Sequence, residues 1–195
     1  MMLVQTYSDI HFLQATAAWC APRLNIINPW AKYPACLELN EYRFSVLAKL
    51  DVDLVILGSL LENDKTEELR GVVDYLRGLG REVVILGPRV TFESSPESFM
   101  REAANFDGLT LKVGNVAADV SIATLNEMRE NLSDVKIIDM ASIQCQDVCD
   151  VVSEGRLLYL DSIHFTWYGA KHAGERFKET FDLPRYIKNS RVKMP

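Results

Sequence analysis

The chain has 195 residues, 48% of them hydrophobic and 25% charged, an ordinary globular composition at a length that supports one domain with a sizeable core and is short for two. A formal net charge of −6 offers no basic field to a phosphate backbone, so nucleic acid is not an expected partner. No run approaches the roughly 18 apolar residues of a membrane span, and Met1-Met2-Leu3-Val4-Gln5-Thr6 lacks the charged, apolar and cleavage regions of a signal peptide.

Taken in order, Ile10 to Thr16 reads as a strand with aromatic and β-branched residues, ended by the Ala17–Pro22 turn. The loop to Cys36 contains Pro22, Pro29 and Pro34 and sustains no regular element. Glu41 to Leu50, with Tyr42, Val46, Leu47 and Leu50 at helical spacing, is a short amphipathic helix. Asp53 to Gly58 is a continuous apolar run of the kind found in strands buried on both faces. Helical periodicity resumes over Leu60–Leu79 and is stopped by Gly78 and Gly80, and Arg81 to Pro88 is the next buried strand. A strand, a helix of about fifteen residues and a strand form a βαβ unit, which implies a parallel sheet with a right-handed crossover.

Arg89 to Gly114 is less periodic, although Ser95 with Pro96 suits a helix start. A clearer helix, Asn115–Leu132, precedes a strand, Val135–Asp139. A cysteine-flanked loop and the apolar Leu157–Leu160 strand lead to Asp161, and Phe165–Phe181 forms the closing helix, in which His172 reads as a packed or surface histidine. The basic stretch from Arg176 to Lys193 reads as a solvated tail. The expectation is α/β, with residues 1–195 as a single domain.

Cys20, Cys36, Cys145 and Cys149 allow three pairings. Cys20 and Cys36 flank a proline-rich loop and Cys145 and Cys149 a short polar one, which suits two local disulfides in an oxidising compartment. Zinc is the rival, but the C-x-x-x-C spacing lacks a second close pair, and neither His11 nor His172 has ligand spacing.

Asp161 ends an apolar strand and His164 follows on the same turn. In parallel α/β sheets ligands gather at the carboxyl ends of strands. The spacing allows the carboxylate to hold one ring nitrogen while the other faces a nucleophile. The plain alternative is an Asp helix cap beside an incidental histidine; Thr166 suits the cap of the closing helix whichever holds.

Asp161-x-x-His164, with Phe165-Thr166 and Gly169-Ala170 behind it, resembles the last block of the SGNH (GDSL-like) hydrolases and acyltransferases. It is more narrowly similar to the SGNH domains fused to bacterial membrane acyltransferases that O-acetylate cell-surface polysaccharides. Cys20-Ala21-Pro22 with Cys36 is similar to that group's Cys-x-Pro loop and falls in the matching order. The resemblance implies a three-layer parallel sheet flanked by helices, flavodoxin-like, with His164 activating a serine and Asp161 orienting His164. It implies a carbohydrate acceptor, an acyl donor, an upstream membrane acyltransferase domain, a periplasmic or otherwise extracytoplasmic location, and no cofactor or metal. The family's serine comes from an N-terminal Gly-Asp-Ser, which these residues do not contain. The expectation is therefore a domain missing its first βα unit and silent as it stands.

Ser59, after Gly58, sits where a strand-end nucleophile would, although Gly-Ser is common turn chemistry. Ser8 is weaker, and Ser162 lies inside the Asp-x-x-His turn. Gly58 and Asn63 are the candidates for oxyanion donors, at a longer gap than the family's Gly-x-Asn-Asp. Two function classes follow: a serine-dependent esterase or O-acyltransferase domain, or a non-catalytic module of that fold that binds carbohydrate or a partner.

Overall fold

The structure is a computed structural model and describes residues 7, 9–15, 20–24, 35–58, 66–93, 110–112, 118–145 and 148–193. The chain divides into two compact units, each assembled from separated segments.

One unit comprises residues 13–87, 124–138 and 184–195. Its centre is a parallel sheet of β1 (Leu54–Gly58), β2 (Glu82–Leu86) and β4 (Lys136–Ile138) in the order β1-β2-β4, with Val55 opposite Val83 and Ile85 opposite Ile137. The two apolar runs form β1 and β2 as the sequence indicates, joined through α2 (Thr66–Gly78), which packs on β2. Leu69, Val72, Val73 and Leu76 bury one face of α2 among Val55, Leu57, Val83 and Ile85. The helix stops at a glycine in the left-handed region, Gly80 (φ 74°). Its N–H reaches Arg77 O at 2.8 Å and the next N–H, from Arg81, reaches Leu76 O at 3.0 Å, the paired bonds that satisfy a helix's last carbonyls. Met128 and Leu132, at the end of α3 (Ala118–Asn131) and just beyond it, belong to the same core.

Helix α1 (Ala35–Lys49) begins earlier than the spacing of Tyr42 and Val46 indicates. Its buried Arg43 and Asn40 bind the Cys20 and Ala21 carbonyls, at 3.0 and 2.9 Å, beside the Cys20–Cys36 disulfide. The stretch read as a solvated tail contains a helix, α6 (Leu183–Lys193), whose Tyr186 hydroxyl donates to Glu82 Oε1 at 2.6 Å. Residues 10–15, read as part of a strand, are irregular.

The other unit comprises residues 1–12, 88–123 and 139–183. Its strands are short and antiparallel: β3 (Thr110–Lys112) pairs with β5 (Val148–Asp150), and β6 (Val152–Ser153) pairs with β7 (Arg156–Leu157). Glu154 and Gly155, with φ of 51° and 69°, make the two-residue turn between β6 and β7, the left-handed pair that matches hairpin twist. Leu157–Leu160 is therefore not a strand of the parallel sheet. Arg156 and Leu157 form one arm of a hairpin, because Leu157 finds its partner five residues back in Val152. Helix α4 (Met140–Gln144) precedes the loop between Cys145 and Cys149 and is capped by Asp139, whose Oδ1 accepts from Ser142 N at 3.0 Å. Cys145 and Cys149 are disulfide-bonded within a cluster of Val90, Phe92, Val151, Leu158 and Tyr159. Helix α5 (Trp167–Thr180) buries Ala173 and Phe177.

Candidate active site

Tyr159 and Phe165 build the base of the site. They face one another across an antiparallel bridge, flanked by Leu160 N to His164 O at 2.7 Å and Thr166 N to Leu158 O at 2.9 Å. This is the pairing type that brings side chains closest, and the two rings meet at 4.9 Å with Phe92 edge-on to Tyr159 at 4.6 Å. Burial in this aromatic base pushes the Tyr159 hydroxyl up to about 12. Because strand side chains alternate in direction, Leu160 and His164 take the opposite face, and both are exposed.

Asp161, Ser162 and Ile163 make the turn, and the Asp161 carboxylate organises it. Oδ1 accepts from Ile163 N at 2.8 Å and from His164 N at 2.7 Å, while Oδ2 lies 2.7 Å from His164 Nδ1. One oxygen thus sets the backbone and the other aims the ring. The hydrogen bond with His164, then that from the Ile163 amide, holds the Asp161 carboxyl down at about 2, so it is an acceptor at neutral pH. An ionised partner at Nδ1 requires the proton there in the neutral imidazole, which leaves Nε2 with a lone pair. Among the described residues nothing is bonded to Nε2, and the His164 and Asp161 side chains are 60% and 48% exposed. The pair can take a proton from a hydroxyl or a water presented to Nε2.

Thr166 caps α5, its Oγ1 accepting from Gly169 N at 3.0 Å and donating to Leu157 O at 2.6 Å. The Asp161 carboxylate serves the turn and the imidazole instead. Gly169 is required by close approach: a Cβ there would lie 1.7 Å from Leu158 O. Exposed Trp167 and Tyr168 follow the cap, edge to face at 5.1 Å, with the Arg156 guanidinium 4.1 Å over the Tyr168 ring.

Two contacts with this turn were not evident from the sequence. Arg89 Nη1 donates to Ile163 O at 3.1 Å, and Phe92 N donates to Ser162 O at 2.9 Å. The only available signal was position, just after the β2 run. Of the other candidates, Ser8, Ser59 and Asn63 lie outside the described residues, as do Ser95 and Pro96. Gly58 closes β1 opposite Leu86. His172 is half-buried, its Nε2 4.0 Å from Asp150 Oδ2, beyond hydrogen-bond range. The four cysteines are consumed in the Cys20–Cys36 and Cys145–Cys149 disulfides, and no metal-binding cluster occurs among the described residues.

The family model of the SGNH domain (fused to AT3 domains) matches residues 3–179. A search of curated proteins finds no match. Among solved structures, the periplasmic domain of a lipopolysaccharide acetyltransferase from Salmonella ser. Paratyphi A is similar, with a TM-score of 0.62 and 13% identity over 74% of this chain. The match covers 62% of that structure, and at such identity it shows the fold. The parallel sheet flanked by helices agrees with it, and the family match takes in residues of both units. The chain belongs to the family of SGNH domains fused to AT3 domains.

Proposed function

We propose that the chain is the acid-base part of a serine-dependent O-acyltransferase that moves acetyl groups onto an extracytoplasmic polysaccharide. The Asp161–His164 contact of 2.7 Å, with Nε2 open to solvent, is the observation that carries this reading. His164 Nε2 takes the proton of a serine hydroxyl as the oxygen attacks the acyl carbonyl and gives it to the departing group of the acyl donor, leaving an acyl-serine; it then takes the proton of the acceptor hydroxyl as that oxygen attacks the acyl-serine, and returns it to the serine oxygen as the acyl-serine bond breaks. Asp161 holds the tautomer and offsets the imidazolium charge. The serine comes from a Gly-Asp-Ser segment that residues 1–195 do not contain. Membrane attachment and delivery of the acyl donor fall to an AT3 domain, in line with the family's fusion partner. The similar acetyltransferase domain is periplasmic, which supports an extracytoplasmic place for this one; none of the described helices is long and apolar enough to cross a membrane.

A fluorophosphonate probe, which labels activated serines, tests the reading. Residues 1–195 alone are expected to remain unlabelled. Joined to an upstream segment bearing Gly-Asp-Ser they are expected to label at that serine, with loss of labelling in His164→Ala. Labelling of residues 1–195 that persists in Ser59→Ala would mean a different nucleophile.

A second reading, a non-catalytic module that binds carbohydrate or a partner, draws on the exposed Leu160, Trp167 and Tyr168 beside the turn. It predicts glycan binding that survives Asp161→Asn and falls in Trp167→Ala.

A further inference from the structure

The turn that carries Asp161 and His164 has two peptide planes at its tip, and each is gripped at both ends. In the plane joining Ser162 to Ile163, the N–H goes to Asp161 Oδ1 at 2.8 Å and the carbonyl accepts from Phe92 N at 2.9 Å. In the plane joining Ile163 to His164, the N–H goes to Asp161 Oδ1 at 2.7 Å and the carbonyl accepts from Arg89 Nη1 at 3.1 Å. A trans peptide is rigid, with N–H and C=O directed oppositely, so a donor fixed on the carbonyl fixes the direction of the N–H. Turning either plane withdraws an amide from Oδ1, and the carboxylate then loses the anchor that aims Oδ2 at Nδ1.

The segment that supplies these donors is itself held. Between Arg89 and Phe92, Val90 N donates to the buried Gln144 Oε1 at 2.8 Å, and the Phe92 ring packs on Tyr159. Phe92 acts on the turn through its backbone. Arg89 is the residue whose side chain reaches it.

We propose that Arg89 is a positioning residue for the Asp161–His164 pair, fixing the Ile163–His164 peptide plane so that the carboxylate stays aimed at the imidazole. It acts through the turn and not on the reacting atoms, and the inference rests on the acid-base reading of the pair.

NMR of residues 1–195 tests it without any turnover. In the wild type, the His164 Nδ1 proton should be observable and slow to exchange. In R89M that proton should broaden away and the Ile163 and His164 amides should exchange about tenfold faster, roughly what one lost hydrogen bond corresponds to. The Val84 and Ile85 amides in β2 should be unchanged. R89K keeps a cationic donor on a long stem and should retain the Nδ1 proton. A folded R89M with wild-type Nδ1 signal and amide rates overturns the role of Arg89 and leaves the pair intact. Should R89M not fold, R89Q, whose shorter side chain cannot reach Ile163 O, decides in its place: loss of the Nδ1 proton in the folded protein supports the role, and a wild-type signal overturns it. A wild type without that proton overturns the Asp161–His164 pairing itself, and the proposal with it.

Discussion

Gly169→Ala isolates the contact that seats α5 against the segment leading to Asp161. An added Cβ would lie 1.7 Å from Leu158 O, 2.6 Å from Leu158 C and 2.9 Å from Leu158 Cα. These are backbone atoms, so no rotamer change relieves them. Reaching even the 3.0 Å below which real Cβ contacts are essentially never found requires about 1.3 Å of separation. That opening breaks Thr166 N to Leu158 O and Thr166 Oγ1 to Leu157 O, about 1 kcal/mol each. Overpacking adds about 1–3 kcal/mol, and the helix propensity of Ala returns about 1 kcal/mol. The net loss is about 2–4 kcal/mol, which at a slope of about 2 kcal/mol per molar lowers the urea midpoint by about 1–2 M. Gly71→Ala is the internal control, since it is exposed in α2 with nothing within 4 Å of an added Cβ, and should gain up to about 1 kcal/mol. A Gly169→Ala midpoint equal to that of Gly71→Ala would refute the close approach.

The two disulfides should differ in weight: with sequence separations of 16 and 4, loop entropy assigns about 3 kcal/mol to Cys20–Cys36 and about 2 kcal/mol to Cys145–Cys149. Urea titration of the two paired Cys→Ala variants checks the order, and a larger loss at Cys145–Cys149 would place the weight on packing around Tyr159 instead. The Asp161 carboxyl should titrate near pH 2 in the folded protein, below its ordinary 3.8. A depressed carboxylate pKa stabilises the fold above the unfolded value and ceases to do so as pH falls through the folded one, so this contribution disappears between about pH 4 and pH 2. Carboxyl NMR measures it; His164→Ala should move the value upward, because the imidazole is the largest cause, and a wild-type value near 3.8 would contradict the geometry.

Where one physical signal dominates, the sequence was a sufficient guide. β2 is buried on both faces at Val83, Val84 and Ile85 and β1 on the face of Val55 and Leu57, both appear as apolar runs, and α2 shows its buried stripe at Leu69, Val72, Val73 and Leu76. The contact of Asp161 with His164 was legible for a local reason: every bond between them spans at most three residues, although the same spacing also suits an Asp cap, and the order of the other motifs along the chain was needed to choose between them. The strand leading to them was misread, because an apolar run of four residues looks the same in a parallel sheet as in a hairpin arm. Glu154-Gly155, with the left-handed conformation it adopts, was the cue to the hairpin. Strands β3, β5, β6 and β7 have two or three residues each and are too short to show a period. Helix α4 has five residues and rests on one cap, Asp139, which the sequence presents equally well as a strand end. Helix α6 was obscured by its charge, since Arg185 and Lys188 mask the buried Leu183 and the Tyr186 contact with Glu82. The contacts of Arg89 and Phe92 with the turn span about seventy residues and leave no local trace.

The most direct test of the account is acetyl transfer to a polysaccharide acceptor by residues 1–195 joined to a Gly-Asp-Ser segment and an AT3 domain, compared with the Asp161→Asn, His164→Ala and Gly71→Ala variants of the same protein. The Asp–His pair predicts a loss of at least about 100-fold for His164→Ala, within the range of general acid-base contributions. It predicts a steep loss for Asp161→Asn at unchanged urea midpoint and near-normal transfer for Gly71→Ala. Wild-type transfer by both Asp161→Asn and His164→Ala would show that the 2.7 Å contact is a feature of the turn alone and that the chemistry is elsewhere.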